Sequence, residues 1–356
     1  MIISRTPFRI SFFGGGTDYP AWYRRHGGAV LAASIDKYCY LTCRYLPPFL
    51  EHRIRIVYSR IEQCQTVDEI AHPVVREALR FLKVDRGIEI HHAADLPGRS
   101  GMGSSSSFTV GLLHALSALK GKISGKRQLA RDGIALEQER LQETVGSQDQ
   151  VCAAYGGLNQ IHFLQNGDFT VQPLTLPRSR VRELNAHLML FYTGIRRTAS
   201  KVAASYGTAT NIERCADVLV RMREYVDRAV DLLNSRQSIS AFGELLHENW
   251  MLKRELSDKV SNPEVDALYE RARSAGAVGG KLLGAGAGGF LLLFVPPDRQ
   301  AAVRARLENL LNVPFKFEFS GSQIIFFDPE EDYARLEKAR ASQQLEGFRE
   351  MEIEPG

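Results

Sequence analysis

Residues 96–108 read LPGRSGMGSSSSF. Gly98, Gly101 and Gly103 free the backbone to curl with its N–H groups aimed at one point, and four serines follow at 104–107. Serines suit a helix start because their hydroxyls satisfy the unpaired amides there. Behind them Phe108, Leu112, Leu116 and Leu119 recur at helical spacing, so the loop sits at a helix N-terminus, where the peptide dipole favours negative charge. The ligand expected of such a nest is a chain of phosphates. Taken alone, the composition also describes a flexible glycine-serine linker ahead of an ordinary buried helix. The rest of the chain decides between them.

At 356 residues the chain has the length of about two domains, and 44% hydrophobic residues suits a sizeable core. Its 45 Lys and Arg against 41 Asp and Glu leave a net charge of +4, too small for this length to indicate nucleic acid or a membrane surface. Small-molecule partners are expected, and no heptad or apolar edge announces an oligomer. Cys39, Cys43, Cys64, Cys152 and Cys215 are odd in number and form no CxxC pair, so neither a disulfide framework nor a zinc site is indicated. The N-terminus lacks the long apolar segment of a signal peptide, and the cleanest apolar run, 290–295, is too short to span a bilayer. A cytoplasmic protein with reduced thiols is expected.

Ile2, Ile3, Phe8, Ile10, Phe12 and Phe13 cluster around Pro7, which suits short strands with a break between them. Gly14, Gly15 and Gly16 then remove every side chain that would keep a ligand off the backbone, and Thr17 and Asp18 follow. Asp18 is an acceptor suited to sugar hydroxyls, and it equally suits a tight turn in which it caps the next segment. Strands are expected over 29–34, 38–44, 53–58 and 87–92, with a helix over 72–83. His91 and His92 do not share a metal, because a strand turns neighbours to opposite faces. A polar helix over 126–142 carries Glu137 and Glu139, and GSQDQ at 146–150 opens another, where Asp149 alone reads as a cap. Asn166-Gly167 marks a hairpin between 158–163 and 169–174.

Pro173 and Pro177 mark a boundary, giving a domain over 1–180, a second over 181–330 and a peripheral charged tail over 331–356. In the second, a strand (187–192) precedes helices over 211–235, 238–256 and 263–275, a strand pair around 284–289, a helix over 298–311 and closing strands within 315–327. With the extra helices set aside this is a β-α-β-β-α-β order, and the fold class is α+β. GAGAGG at 284–289 satisfies the dinucleotide pattern GxGxxG, but that pattern needs a helix after it, and 290–295 reads as a strand. The dinucleotide reading fails on this point.

Three motifs agree in order and spacing. PFRISFFGGGTD (7–18), PGRSGMGSSSS (97–107) and KLLGAGAGGF (281–290) resemble the three signatures of the GHMP kinase superfamily, and GSQDQ resembles the segment carrying its catalytic aspartate. The resemblance covers roughly residues 1–330 and implies a two-domain GHMP kinase fold, with an N-terminal domain like ribosomal protein S5 domain 2 and a ferredoxin-like C-terminal domain. Within the superfamily, GGGTDYP at 14–20, QDQ at 148–150 and TGIRRTAS at 193–200 are similar to the bacterial D-glycero-D-manno-heptose 7-phosphate kinases, which make the 1,7-bisphosphate for GDP-heptose and surface polysaccharide. Met102 departs from the commoner leucine, and Ser147 from a bulkier residue, which leaves the shape of the sugar pocket open.

The resemblance implies ATP and Mg2+ as cofactors. Gly98, Arg99, Ser100, Gly101, Met102, Gly103, Ser104, Ser105 and Ser106 would wrap the ATP phosphates, with Ser104 or Ser105 reaching Mg2+. Glu137, twelve residues before Asp149, matches the magnesium-binding glutamate, and Glu139 is its substitute. Asp149 matches the catalytic aspartate and Arg9 the basic residue near the transferred phosphoryl group. Asp18, with Gly15, Gly16 and Thr17, would touch the sugar, and Gly286 and Ala287 would flank both ligands. A sugar that already carries a phosphate needs a second anion site, for which Arg196, Arg197 and Arg99 are candidates; each also reads as a solvated surface charge. Two other functions fit the motifs: a kinase for an unphosphorylated, fucose- or galactose-like sugar, and a silent sugar-binding regulator.

Overall fold

The computed structural model describes residues 1–50, 52–98, 100–195, 199–329 and 333–341. Two sheets organise them. The strands are β1 (Ile2–Phe13), β2 (Gly28–Tyr45), β3 (Ile54–Val57), β4 (Ile61–Cys64), β5 (Ile88–Ala94), β6 (Leu158–Phe163), β7 (Phe169–Pro173), β8 (Leu188–Tyr192), β9 (Gly279–Leu282), β10 (Phe290–Phe294), β11 (Leu311–Asn312) and β12 (Gln323–Phe327). The larger sheet runs β12-β1-β2-β5-β3-β4, with β6 and β7 added along β2; the smaller runs β11-β8-β10-β9.

The break expected at Pro7 is a register shift between Pro7 and Phe8 within one continuous strand. Proline lacks the N–H that a ladder needs, so an irregularity is where a strand tolerates it. The two strands expected over 29–34 and 38–44 are likewise one, β2, whose Gly28–Ala33 half pairs with β6 while Cys39–Tyr45 pairs with β5. The Asn166-Gly167 hairpin joins β6 to β7, with Gly167 at φ 88°.

The smaller sheet is all antiparallel, and its chain order is strand, helices, strand pair, helix Gln300–Arg306, strand, the ferredoxin-like arrangement. One expectation changes here. The closing strand of this sheet, Leu311–Asn312, comes before the expected 315–327 stretch, after a helix that ends at Arg306, while Gln323–Phe327 returns to the larger sheet beside β1. The proposed 181–330 domain therefore gives its last strand back to the first. Alternation identifies a strand but says nothing about its partner. At the boundary marked by the prolines stands a helix, Arg178–Ala186, with Pro177 at its N-cap, where no intrahelical N–H is needed.

The helix Ser104–Leu119 lies against β1 and β2 and buries Phe108, Val110, Leu112, Leu113 and Leu116. Gly111 lets it approach closely: a Cβ there would stand 2.8 Å from Thr6 Oγ1, and its carbonyl accepts from Ser4 Oγ at 2.8 Å. At the other end of β1, Phe12 packs edge-on against Phe242 (5.4 Å) and Phe317 (6.3 Å), which binds the two sheets into one core. Each such fully buried side chain contributes on the order of 1.5–3 kcal/mol. This packing fixes the start of the 104–119 helix against the middle of β1. Among the described residues no helix is long and apolar enough to cross a membrane.

Candidate active site

Gly101 and Gly103 adopt left-handed backbone, φ 82° and 75°, and Gly103 caps the Ser104–Leu119 helix. The loop is held by Arg9, whose backbone N–H donates to Met102 O (3.1 Å) and whose Nη1 donates to Gly101 O (2.7 Å). Met102 itself is buried in the core. From the other side the loop meets the third glycine-rich motif, backbone to backbone. A Cβ on Gly101 would stand 2.5 Å from Leu283 O, one on Gly284 would stand 2.5 Å from Gly101 Cα, and one on Gly289 would overlap Ser100 O. The second and third motifs thus require glycine for the same reason. Gly98 faces open space, and Arg99 lies outside the described residues.

Ser104 is half-buried and Ser105 exposed at the helix start; Ser107 Oγ donates to Pro7 O (2.8 Å) and Ser106 Oγ donates to Glu137 Oε2 (2.9 Å). Ser106, rather than Ser104 or Ser105, is the serine brought to Glu137. That glutamate sits in a π-helical turn, Leu136–Arg140, which continues the helix Lys126–Ala135. Gln150 Nε2 also donates to its Oε2 (2.5 Å). Burial pushes the Glu137 pKa up to about 7, against the neighbouring hydroxyls of Thr109 and Ser106. Glu139 is exposed.

Magnesium keeps several waters and takes only one or two carboxylates beside substrate phosphates. Among the described residues no three His, Cys, Asp or Glu converge to hold a metal unaided. Glu137 Oε1 is buried without a hydrogen-bond partner. One buried carboxylate with a free oxygen, a serine hydroxyl beside it and a glycine-rich helix start together fit Mg2+ carried by a polyphosphate.

Asp149 stands on the first turn of the helix Gln148–Tyr155. Its Oδ1 accepts from Arg9 Nε at 2.7 Å and its Oδ2 from Arg9 Nη2 at 2.8 Å, a bidentate pair. The Arg9 side chain is 5% exposed and that of Asp149 24%, so the carboxylate alone opens outward. Burial opposes the Arg9 charge, yet Asp149 keeps the Arg9 pKa above its ordinary value. A Cβ on Gly103 would lie 3.2 Å from Arg9 Cγ and 3.4 Å from Asp149 Oδ2, so the loop rests directly on the pair.

In the 14–18 loop, Gly15 is partly exposed and its neighbours are buried. Thr17, expected at the sugar, turns inward: its hydroxyl donates to Gly14 O (2.8 Å) and Ala29 O (2.9 Å). Asp18 is 1% exposed, with Oδ1 accepting from Gly16 N (2.9 Å) and Oδ2 from Gln148 N (3.3 Å). Asp18 thus commits both oxygens to backbone amides and ties the glycine loop to the start of the helix that carries Asp149. Burial, more than the nearby Asp149 charge, raises its pKa.

The third motif forms the β9–β10 hairpin, as the failed dinucleotide reading required. Gly286 lies against Val260 O, and Ala287, at φ 64°, donates its N–H to Val260 O (2.7 Å) and accepts from Asn262 Nδ2 (3.0 Å). Two lysines went unnoticed in the sequence. Lys281 Nζ donates to Phe12 O (2.8 Å), and Lys253 Nζ donates to Gly284 O (2.5 Å) and Leu282 O (3.1 Å). Lys281 belongs to the quoted third motif, which was the available signal; Lys253 lies outside every motif. Arg196 and Arg197 lie outside the described residues. His91 pairs with Glu89 (3.0 Å) and His92 packs against Phe108, on opposite faces of β5.

The chain is 28% identical over 311 residues to the D-glycero-alpha-D-manno-heptose 7-phosphate kinase of Campylobacter jejuni, covering 84% of this chain and 91% of that protein. It is 28% identical to the L-fucokinase/L-fucose-1-P guanylyltransferase of Bacteroides fragilis over 88% of this chain and 36% of that longer protein. A crystal structure of a D-glycero-D-manno-heptose 1-phosphate kinase from Bacteroides thetaiotaomicron shares its fold, with TM-score 0.75 and 24% identity over 92% of this chain and 100% of that one. The GHMP kinases N terminal domain model matches residues 68–157 and the GHMP kinases C terminal model residues 222–312, together just over half of the chain. The first match takes in the anion loop, Glu137 and Asp149, the second the glycine hairpin that closes on that loop, and a chain built this way belongs to the GHMP kinases, enzymes that use ATP with Mg2+.

Proposed function

We propose that the chain is a sugar kinase that transfers a phosphoryl group from ATP to the anomeric hydroxyl of D-glycero-D-manno-heptose 7-phosphate. The product would be the 1,7-bisphosphate, made in the cytoplasm toward GDP-heptose and surface polysaccharide. The observation that carries the reaction type is the Arg9–Asp149 pair set against the left-handed Gly103. The Campylobacter jejuni relative, similar over most of both chains, supports the acceptor.

Phosphoryl transfer asks mainly for in-line positioning and charge stabilisation. ATP with Mg2+ supplies the phosphoryl group and neutralises its charge. Glu137 and Ser106 would hold the metal side, while the hydroxyls and amides at the helix start, 104–105, would face the phosphates. Asp149 orients the acceptor hydroxyl and takes its proton, a contribution of about a hundredfold to ten-thousandfold. Arg9 fixes the rotamer of Asp149 through two hydrogen bonds and locks the loop beside it through a third.

A second reading has its own observation. Arg9, Lys253 and Lys281, the buried cations beside the glycine loops, are all committed to a carboxylate or to carbonyls. A fucose-like acceptor without a phosphate would need none of them, and the fucokinase relative matches at the same identity. An ADP-release assay with heptose 7-phosphate, heptose, fucose and galactose separates the two. Preference for heptose 7-phosphate supports the first, and Arg196→Ala with Arg197→Ala should then raise KM for that sugar only. Equal or better turnover of an unphosphorylated sugar overturns it, and no turnover of any sugar leaves the binding-only regulator.

A further inference from the structure

Ser11 Oγ and Gln148 Oε1 are both buried and neither has a hydrogen-bond partner. Buried polar atoms are almost always paired, so two orphans beside a catalytic carboxylate ask for an explanation. Ser11 is two residues beyond Arg9 on β1, and Gln148 immediately precedes Asp149. Alternate strand residues share a face. Ser11 therefore shares the Arg9 face of β1, and Gln148 is the neighbour of Asp149 on the facing helix start.

The orphaned Ser11 hydroxyl and the Gln148 side-chain amide converge on Gly15, the opening in an otherwise buried loop. A Cβ at Gly15 would lie 3.6 Å from Ser11 Oγ and 3.6 Å from Gln148 Nε2. The space above Gly15 is thus a polar niche flanked by a hydroxyl and an amide. The backbone N–H of Gln148 is already held by Asp18 Oδ2, so the amide is presented from a fixed stem.

We propose that Ser11 and Gln148 read a second hydroxyl of the acceptor, vicinal to the one that receives the phosphoryl group, so that the site selects a vicinal diol. For an anomeric acceptor this is the 2-hydroxyl. A sugar hydroxyl there accepts from Gln148 Nε2 while donating to Ser11 Oγ, which gives the orphaned serine its partner. A deoxy analogue leaves Ser11 Oγ unpaired, and sites built to bond a hydroxyl reject such analogues strongly. Ser11 and Gln148 are specificity residues; proton transfer stays with Asp149. The inference rests on the acceptor being a sugar, not on which sugar it is.

The test compares a sugar with its 2-deoxy analogue, using whichever sugar the wild-type protein turns over, so that exchanging heptose 7-phosphate for another sugar overturns only the earlier reading. The wild type should favour the parent sugar by about a hundredfold or more in kcat/KM. Ser11→Ala and Gln148→Met should each cut that ratio by at least about tenfold, chiefly through loss on the parent sugar, with the KM for ATP within about threefold. Gln148→Leu repeats the measurement should Gln148→Met fold poorly. Equal slowing of parent and deoxy sugars, an unchanged ratio, or no turnover of any sugar overturns the proposal.

Discussion

Arg9 holds Asp149 through two parallel hydrogen bonds, 2.7 and 2.8 Å, while its third nitrogen holds Gly101 O of the anion loop at 2.7 Å. One guanidinium therefore sets the distance between the Asp149 carboxylate and the glycine-rich loop. Lysine keeps the charge but not the fork. Arg9→Lys should lower kcat by about tenfold to a hundredfold, the scale of a misplaced reacting group, while the fold survives. Steady-state ADP release and a melting curve on the same preparation check this; unchanged kcat would refute the coupling.

Glu137 and Ser106 should act together on the metal requirement. Losing even an outer-shell metal partner costs about tenfold to a hundredfold in affinity or activity, so Glu137→Gln should raise the Mg2+ needed for half-maximal rate by at least about tenfold. Ser106→Ala should move it the same way by less. A magnesium titration at saturating ATP and sugar reads both.

Gly289→Ala tests the contact between the second and third motifs. Its φ of 102° is left-handed territory, and the added Cβ would overlap Ser100 O. Backbone strain of this kind costs about 1–3 kcal/mol. Denaturant midpoints should fall accordingly, and nucleotide affinity should fall with them because the anion loop is displaced.

Lys281 gives the stability curve a sign. Burial, with the Arg9 charge adding to it, brings its pKa down to about 7, against about 10.4 for an unfolded lysine. Between about pH 7 and 10.4 the unfolded chain binds a proton that the folded chain does not, so this group's contribution is complete above about pH 10.4, shrinks as pH falls across that window and is gone by about pH 7. Lys281→Met should therefore lose the part of the rise that wild type shows from about pH 7 to about pH 10. Urea midpoints measured across that range would show parallel curves if the amine were charged inside the fold.

Much of this was legible along the chain, for reasons that differ by element. The anion loop, the GGGTD turn and the glycine hairpin were legible because close backbone approach demands glycine, and glycine is visible without a structure. Asp149 was legible through its motif, whereas its hold on Arg9 joins residues 140 positions apart and has no local signature. Thr17 looked like a ligand contact because a threonine in a loop carries no mark of which way it turns; Ala29 O, on a neighbouring strand, decides it. β12 was read as a strand and assigned to the wrong sheet, since its partner, β1, begins the chain. Ser106 could be told from Ser104 and Ser105 only once the helical turn set which hydroxyl faces Glu137.

The most direct test replaces Asp149 with asparagine and measures ADP release with ATP, Mg2+ and heptose 7-phosphate, alongside ATP affinity by equilibrium titration. Loss of at least about a hundredfold in kcat with ATP affinity within about threefold is the result expected of a carboxylate that orients and deprotonates the acceptor. An Asp149→Asn protein that turns over at the wild-type rate would contradict the account.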